Sequence, residues 1–151
     1  MSAPLSGDQI AALGAEAAMI ATRAYAPYSG FHVAALLIGD DGLIASGVNM
    51  ENASYGLSLC AETSAFAAAV HAGRLADIRA VVVIGGRMTD DGLAGEAPVL
   101  PCGRCRQIIY ESAALQGRDI AIHAFSGDRE RRAETSIRTL LPDAFGPANL
   151  D

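Results

Sequence analysis

Three cysteines and one neighbouring carboxylate carry the most demanding chemistry in this chain. Cys60 opens the stretch LCAETSAFAAAVHAG (59–73) with Glu62 two positions on, and Cys102 and Cys105 form the Cys-x-x-Cys pair of PCGRC. At a helix start such a pair is either a redox couple, because the helix dipole lowers a thiol pKa, or half of a zinc site. The third thiol shifts the balance toward metal. If Cys60 and the Cys102/Cys105 pair each stand at a helix N-terminus, two adjacent helices present three thiolates to one point. Zinc prefers about four ligands, so three from protein leave a position for water, the arrangement of a catalytic centre. Glu62, on the same first turn as Cys60, then reaches that water as a proton carrier. Alone, Glu62 reads as a surface acid complementing the helix dipole. A closed structural site would need a histidine. His71 lies roughly 16 Å further along a continuous helix, and His32 and His123 fall in expected strands, so the open arrangement is favoured.

Alternating helices and strands must position these groups. Residues 8–25 (DQIAALGAEAAMIATRAY) place apolar residues at helical spacing behind a candidate N-cap at Ser6 or Asp8, and the turn-rich APYSG ends the helix. FHVAALLIG and LIASGVNM read as two strands joined at Asp40-Asp41-Gly42, a hairpin signal. The irregular ENASYGLSL leads into the helix of Cys60 and Glu62. IRAVVVIGG is a nearly continuous apolar run, as in a strand buried on both faces. RMTDDGLAGEAP reads as a polar connection, LPCGRCRQIIYESAAL becomes helical in its later part, and DIAIHAF is a further strand. TSIRTLLPDAF holds a short helix stopped by Pro142. The fold class expected is α/β, a three-layer α/β/α sandwich with a mixed sheet of about five strands. Residues 1–151 are expected to form a single catalytic domain.

The bulk properties narrow the partners. A formal charge of −6 argues against a polynucleotide, whose affinity rests on phosphate contacts. The concentrated basic stretch RERRAE (129–134) is interrupted by acids and reads as a solvated loop or helix end. No run approaches the roughly 18 apolar residues of a membrane span. The first twenty residues carry no basic region before an apolar stretch, so no signal peptide is expected. Reduced thiols in a cytoplasmic compartment follow as the expected setting.

C-A-E followed by P-C-x-x-C resembles the zinc nucleoside deaminases, whose wider signature is H-x-E…P-C-x-x-C. With Cys60 in place of the first histidine, the chain is similar to the small, homotetrameric, three-cysteine cytidine deaminases. AYAPYSGFHV, GVNMENASYGLSLCAE, PCGRCRQ and LLPDAF match blocks of that family in order, over nearly the whole chain. The resemblance implies one Zn2+ per chain on Cys60, Cys102 and Cys105, and hydrolysis of cytidine and 2′-deoxycytidine to uridine and 2′-deoxyuridine in pyrimidine salvage. Glu62 would take a proton from the attacking water, deliver it to N3 of the base and later protonate the departing amine. The backbone of Ala61, with a carbonyl before Pro101, would hold the base edge. Asn49 and Glu51 match the pair that bonds the ribose hydroxyls, and Phe31 matches a pocket aromatic. Phe145 and Tyr55 resemble aromatics that reach in from a neighbouring subunit, which implies composite sites in a homotetramer. The partner implied is a free nucleoside, with neither nucleic acid nor membrane. Enzymes acting on blasticidin S also resemble the chain in C-A-E and PCGRCRQ, so a related aminonucleoside is an alternative substrate; the N-x-E-N-A-S-Y block favours cytidine. A structural-zinc or thiol redox protein is the alternative of another class.

The chain departs from the family pattern at three places. Many relatives carry arginine after C-A-E, where it donates hydrogen bonds to the zinc thiolates; this chain has Thr63. Three thiolates on Zn2+ make a net −1 centre, and donors to sulfur offset that excess charge. Arg104, between the two cysteines where relatives often have a small residue, is the expected replacement, with Arg106 sharing the task. Ala34 stands where glycine is usual.

Overall fold

The chain runs α1 (Gly7–Ala21), β1 (Phe31–Gly39), β2 (Gly42–Val48), α2 (Ala61–His71), β3 (Ala80–Thr89), β4 (Gly92–Ala94), α3 (Gly103–Gln116), β5 (Ala121–Phe125), β6 (Arg132–Ser136) and α4 (Ile137–Leu140). The computed structural model describes residues 3–151. Its single mixed sheet has the order β2-β1-β3-β5-β6, with β4 paired to β3. Only β3 and β5 run parallel, and α3 makes the crossover between them; the remaining pairs are antiparallel. Among the described residues no helix is long and apolar enough to cross a membrane.

Strand alternation divides the core into two layers. Ala34, Leu36 and Ile38 of β1, with Val82 and Ile84 of β3, face α1 and its Ile10, Ala17 and Ala21. Ala35 and Leu37, with Val81 and Val83, face the opposite side and pack on α2 and α3 through Ala61, Ala65, Phe66 and Ile109. Both central strands are therefore apolar at consecutive positions, and each large side chain so buried contributes about 1.5–3 kcal/mol. Small residues set how closely the helices approach. A Cβ added at Gly47 of β2 would stand 2.4 Å from Ala65 N and 2.5 Å from Ala61 O, so α2 lies directly on that strand.

Local signals explain most boundaries. Ser6 caps α1 by accepting from Gln9 N at 3.2 Å, and Gln9 Oε1 accepts in turn from Ser6 N at 2.8 Å. The expected helix over 8–25 ends earlier, at Ala21, because Tyr25 is drawn into a bridge with Met50. Asp40-Asp41 turns β1 into β2 with Gly42 at φ +113, a conformation natural to glycine. The same device recurs at Asp90-Asp91-Gly92, with Gly92 at φ +109. The stretch RMTDDGLAGEAP is therefore not a plain connection: it continues β3 to Thr89 and folds back as β4. The basic stretch 129–134 likewise ends in a strand, since Arg132–Ser136 pairs antiparallel with β5 as β6. The sheet thus has six strands, where about five were expected.

Candidate active site

The carboxyl ends of β2, β3 and β5 and the beginning of β1 lie at one end of the sheet, and α2 and α3 both start there. Cys60 is the N-cap residue of α2 and Cys102 that of α3, with Cys105 one turn further along. Neither N-cap thiol bonds to its own helix. All three Sγ atoms lie within 4.8 Å of one another, and Cys60 Sγ is 3.8 Å from Cys102 Sγ. Ligands about 2.3 Å from zinc at tetrahedral angles stand about 3.8 Å apart, so the cluster fits that ion. His32, His71 and His123 are absent from it. His32 Nδ1 instead lies 2.8 Å from Ala21 O.

Electrostatics points the same way. Burial pushes the Cys105 thiol well above its ordinary value, and the nearby Glu62 and Cys60 raise it further. Burial also raises Cys60. Cys102 is opposed by its own burial, yet is held below the usual thiol value by the Cys105 backbone N–H and by the Cys105 and Cys60 thiols. Glu62 is only 4% exposed, and burial lifts its carboxyl above the ordinary range. Its Oε2 is 3.5 Å from Cys105 Sγ. Four groups that become anionic thus converge, two of them, Cys105 and Glu62, buried from water. A dication is the partner that makes such a set favourable.

Above the thiols opens a cleft of about 280 Å³, with Glu62, Ala61 and Cys60 at its base and Asn49 and Glu51 on one wall. Asn49 is fixed in two directions: Oδ1 accepts from Val33 N at 2.8 Å and Nδ2 donates to Phe31 O at 2.9 Å. Glu51 Oε2 accepts from Tyr28 N at 2.9 Å and Ser29 N at 3.2 Å, while Oε1 accepts from the Ser29 hydroxyl. The Ser29 hydroxyl first, and the two backbone N–H groups after it, hold the Glu51 carboxyl below the usual carboxylate value.

The other expected residues are placed differently. Phe31 stands outside the cleft lining; its ring lies near Gly85, beside the lining residues Val33 and Val99. Tyr55 is exposed and meets Tyr28 edge to face, with ring centroids 5.8 Å apart. Phe145 is exposed and not among the cleft-lining residues, its carbonyl accepting from Gln107 Nε2 at 2.8 Å. Arg104 is exposed, with no hydrogen bond or ion pair to the described residues, so it does not reach the thiols. Arg106 is engaged with Pro101 O at 2.8 Å and Leu140 O at 3.1 Å. The hydroxyl that faces a sulfur is that of Thr63, with Oγ1 3.8 Å from Cys105 Sγ. Sequence reasoning missed Val33, Ser58 and Leu59 as cleft residues, while Val99 and Leu100 belong to the segment before Pro101 that was expected to offer a carbonyl. Val33 was findable, sharing its strand face with Phe31 two residues earlier. The others sit beside motif residues but carry no chemistry that marks them.

Known proteins share this arrangement. The profile described as the cytidine and deoxycytidylate deaminase zinc-binding region matches residues 8–116. A cytidine deaminase of Sporosarcina psychrophila is 38% identical over 136 residues, covering 90% of each chain. One from Mycobacterium tuberculosis is 41% identical over 138 residues, 89% of this chain and 87% of that protein. The crystal structure of cytidine deaminase from Burkholderia pseudomallei superimposes with a TM-score of 0.76 at 37% identity, over 93% of this chain and all of that one. Motif, cluster geometry, fold and near-full-length similarity agree, and the chain belongs to the cytidine deaminase family of zinc-dependent hydrolases.

Proposed function

We propose that this protein deaminates free cytidine and 2′-deoxycytidine, and that residues 1–151 act as one catalytic domain. The carrying observation is the buried Glu62 carboxylate, set beside three clustered thiols at the base of a nucleoside-sized cleft. Cys60, Cys102 and Cys105 would hold one zinc ion, whose Lewis acidity makes a water nucleophilic near neutral pH. Glu62 takes a proton from that water and gives it to N3 of the cytosine ring. The water oxygen adds to C4, Glu62 passes the second proton to the amino group, the C4–N4 bond breaks, and ammonia leaves. Burial suits the residue to this alternation, because a carboxyl lifted toward neutrality both accepts and returns protons readily.

The remaining residues bind and orient. The Ala61 backbone lies beside the base position, and the Val99-Leu100 segment, tied to β5 by Val99 N to Phe125 O at 3.2 Å, faces it. Glu51, kept ionised by the Ser29 turn, retains lone pairs for a sugar hydroxyl, and Asn49 keeps a second Nδ2 proton. The neutral sugar matches a −6 protein that disfavours polynucleotides. Tyr28, Tyr55, Leu57 and Phe145 are exposed apolar side chains, which supports a homotetramer in which Tyr55 and Phe145 complete a neighbour's site, with Phe31 backing the cleft beside Val33 and Val99. Three free thiols poised for metal fit a cytoplasmic setting, and pyrimidine salvage is the corresponding role.

The test is ultraviolet detection of deamination with a panel of cytidine, deoxycytidine, 5-methylcytidine, adenosine and blasticidin S, alongside metal analysis. Cytidine and deoxycytidine should be the preferred substrates, with about one zinc per chain. Glu62→Gln should keep zinc and lose roughly 10²–10⁴-fold in kcat. Preferred turnover of blasticidin S would redirect the substrate assignment, and zinc without any turnover would indicate a structural site.

A further inference from the structure

The protonation chemistry of the cluster leaves one sulfur with a particular problem. Cys105 is fully buried, so no bulk water can donate a hydrogen bond to it. Its side-chain neighbours are Glu62 Oε2 at 3.5 Å and Thr63 Oγ1 at 3.8 Å. As a metal ligand Cys105 is a thiolate, and it then has no proton to offer Glu62. That contact becomes one between two acceptors. The Thr63 contact, by contrast, improves, because a hydroxyl facing a thiolate has only one direction in which to donate. The other two sulfurs are better served. Cys102 is exposed and the nearby Cys105 backbone N–H favours its thiolate, and Cys60 is partly exposed. The arginines do not help: Arg104 is exposed without a partner among the described residues, and Arg106 is engaged with two carbonyls.

We propose that the Thr63 hydroxyl is the donor that sustains Cys105 as a zinc ligand, a positioning residue at the place where the resembling enzymes use arginine. This rests on the zinc reading of Cys60, Cys102 and Cys105. The backbone makes the contact an intrinsic part of the site: Thr63 follows Glu62 on the first turn of α2. One turn of helix therefore supplies a ligand from its N-cap, the proton carrier from its second residue and the sulfur donor from its third. The donor comes from α2 and the sulfur from α3, so the bond also ties the two helices together at the metal. A neutral hydroxyl offsets less charge than a guanidinium, and the centre keeps more of its anionic character than one served by arginine.

The experiment compares the zinc-loaded wild type with Thr63→Val, which keeps the shape and removes the hydroxyl, and Thr63→Ser, which restores it. Zinc retention is read by chelator competition at fixed pH, and the sulfur environment by the thiolate-to-metal charge-transfer band after replacement with cobalt(II). Thr63→Val should hold zinc between about ten- and a hundredfold less tightly. Its charge-transfer band should move to lower energy, because an undonated thiolate gives up electron density more easily. Thr63→Ser should match the wild type in both. Equal zinc affinity and an unshifted band in Thr63→Val overturn the proposal, as does a Thr63→Ser variant no better than valine. Melting of the metal-free proteins separates a folding defect from a metal defect, and Thr63→Ala replaces valine if the latter misfolds. A wild type that binds no zinc at its thiols would instead remove the underlying zinc reading.

Discussion

Gly47 offers the sharpest test of how the sheet positions the chemistry. In Gly47→Ala the new methyl carbon would stand 2.4 Å from Ala65 N, 2.5 Å from Ala61 O and 2.9 Å from Ser64 Cβ. Two of these are helix backbone atoms, which no rotamer change can clear. An ordinary contact needs about 3.4 Å, so α2 must rise by about 1 Å from β2. The φ of Gly47 lies outside the left-handed region, so alanine adds no backbone strain to confuse the result. Overpacking of this kind costs about 1–3 kcal/mol, or about 3–9 °C in melting temperature for a chain of this length. The functional loss should be larger than the stability loss suggests. The raised turn carries Cys60 and Glu62, while Cys102 and Cys105 stay with α3. Metal sites tolerate about 0.2 Å in ligand distance, and a 1 Å misplacement of catalytic groups costs on the order of a hundredfold in rate. Gly47→Ala should therefore remain folded, lose zinc to chelators more readily and fall about a hundredfold in kcat/KM. Gly7→Ala, whose added carbon meets nothing within 4 Å, is the control. A Gly47→Ala protein with wild-type zinc retention and activity would refute the idea that this contact sets the height of the helix.

Glu51→Gln removes a charged acceptor from the cleft wall and from the Tyr28-Ser29 turn. Steady-state kinetics should show kcat/KM for cytidine falling roughly ten- to a hundredfold, chiefly through KM, and an unchanged KM would remove Glu51 from sugar binding. His123 gives a pH dependence of stability. Burial holds its imidazole below the ordinary value of 6.5, with Glu134 opposing and Arg132 assisting, and its buried Nδ1 has no hydrogen-bond partner. The unfolded chain then binds the proton more readily, so stability present above about pH 6.5 is lost as pH falls through that value toward the lower folded one. Chemical denaturation at about pH 7.5 and pH 5 should show a smaller drop in His123→Gln than in wild type; an equal drop would assign the acid sensitivity elsewhere.

The elements that carry the cluster were legible because each has a local cause. The alanine run after Cys60, the Ser6/Gln9 box and the glycine after Asp40-Asp41 announce helix, cap and turn within a few residues. What escaped depends on pairing. Arg132–Ser136 is polar and charged, and it is a strand because β5 supplies one row of backbone partners. The second Asp-Asp-Gly hairpin was present in the same letters as the first, but its flanks are short and polar, without the apolar runs that made the first evident. Thr63 and Arg104 show the limit within the site itself. Adjacency to a ligand in sequence favoured Arg104, whereas the helix turns its side chain to solvent and brings a hydroxyl from α2 to the sulfur. Which neighbour faces a buried atom is decided by the packing of two helices, and neither helix encodes that alone.

Two of the helices begin on serine and two on cysteine. Ser6 and Ser136 bond back to their own helices, while Cys60 and Cys102 leave that bond unmade. A serine or aspartate at either cysteine position would add about 1 kcal/mol to the metal-free protein. The two proposed ligands therefore occupy positions where the fold itself would prefer something else. Screening for thermal resistance without metal should enrich replacements at Cys60 and Cys102, and so discard the activity while improving the scaffold. Ancestors or designs selected on folding alone would drift toward a sturdier protein of the same shape that no longer holds the metal. Persistence of the two thiols in a functioning lineage thus records selection for the reaction, acting against the preference of the helices that present them.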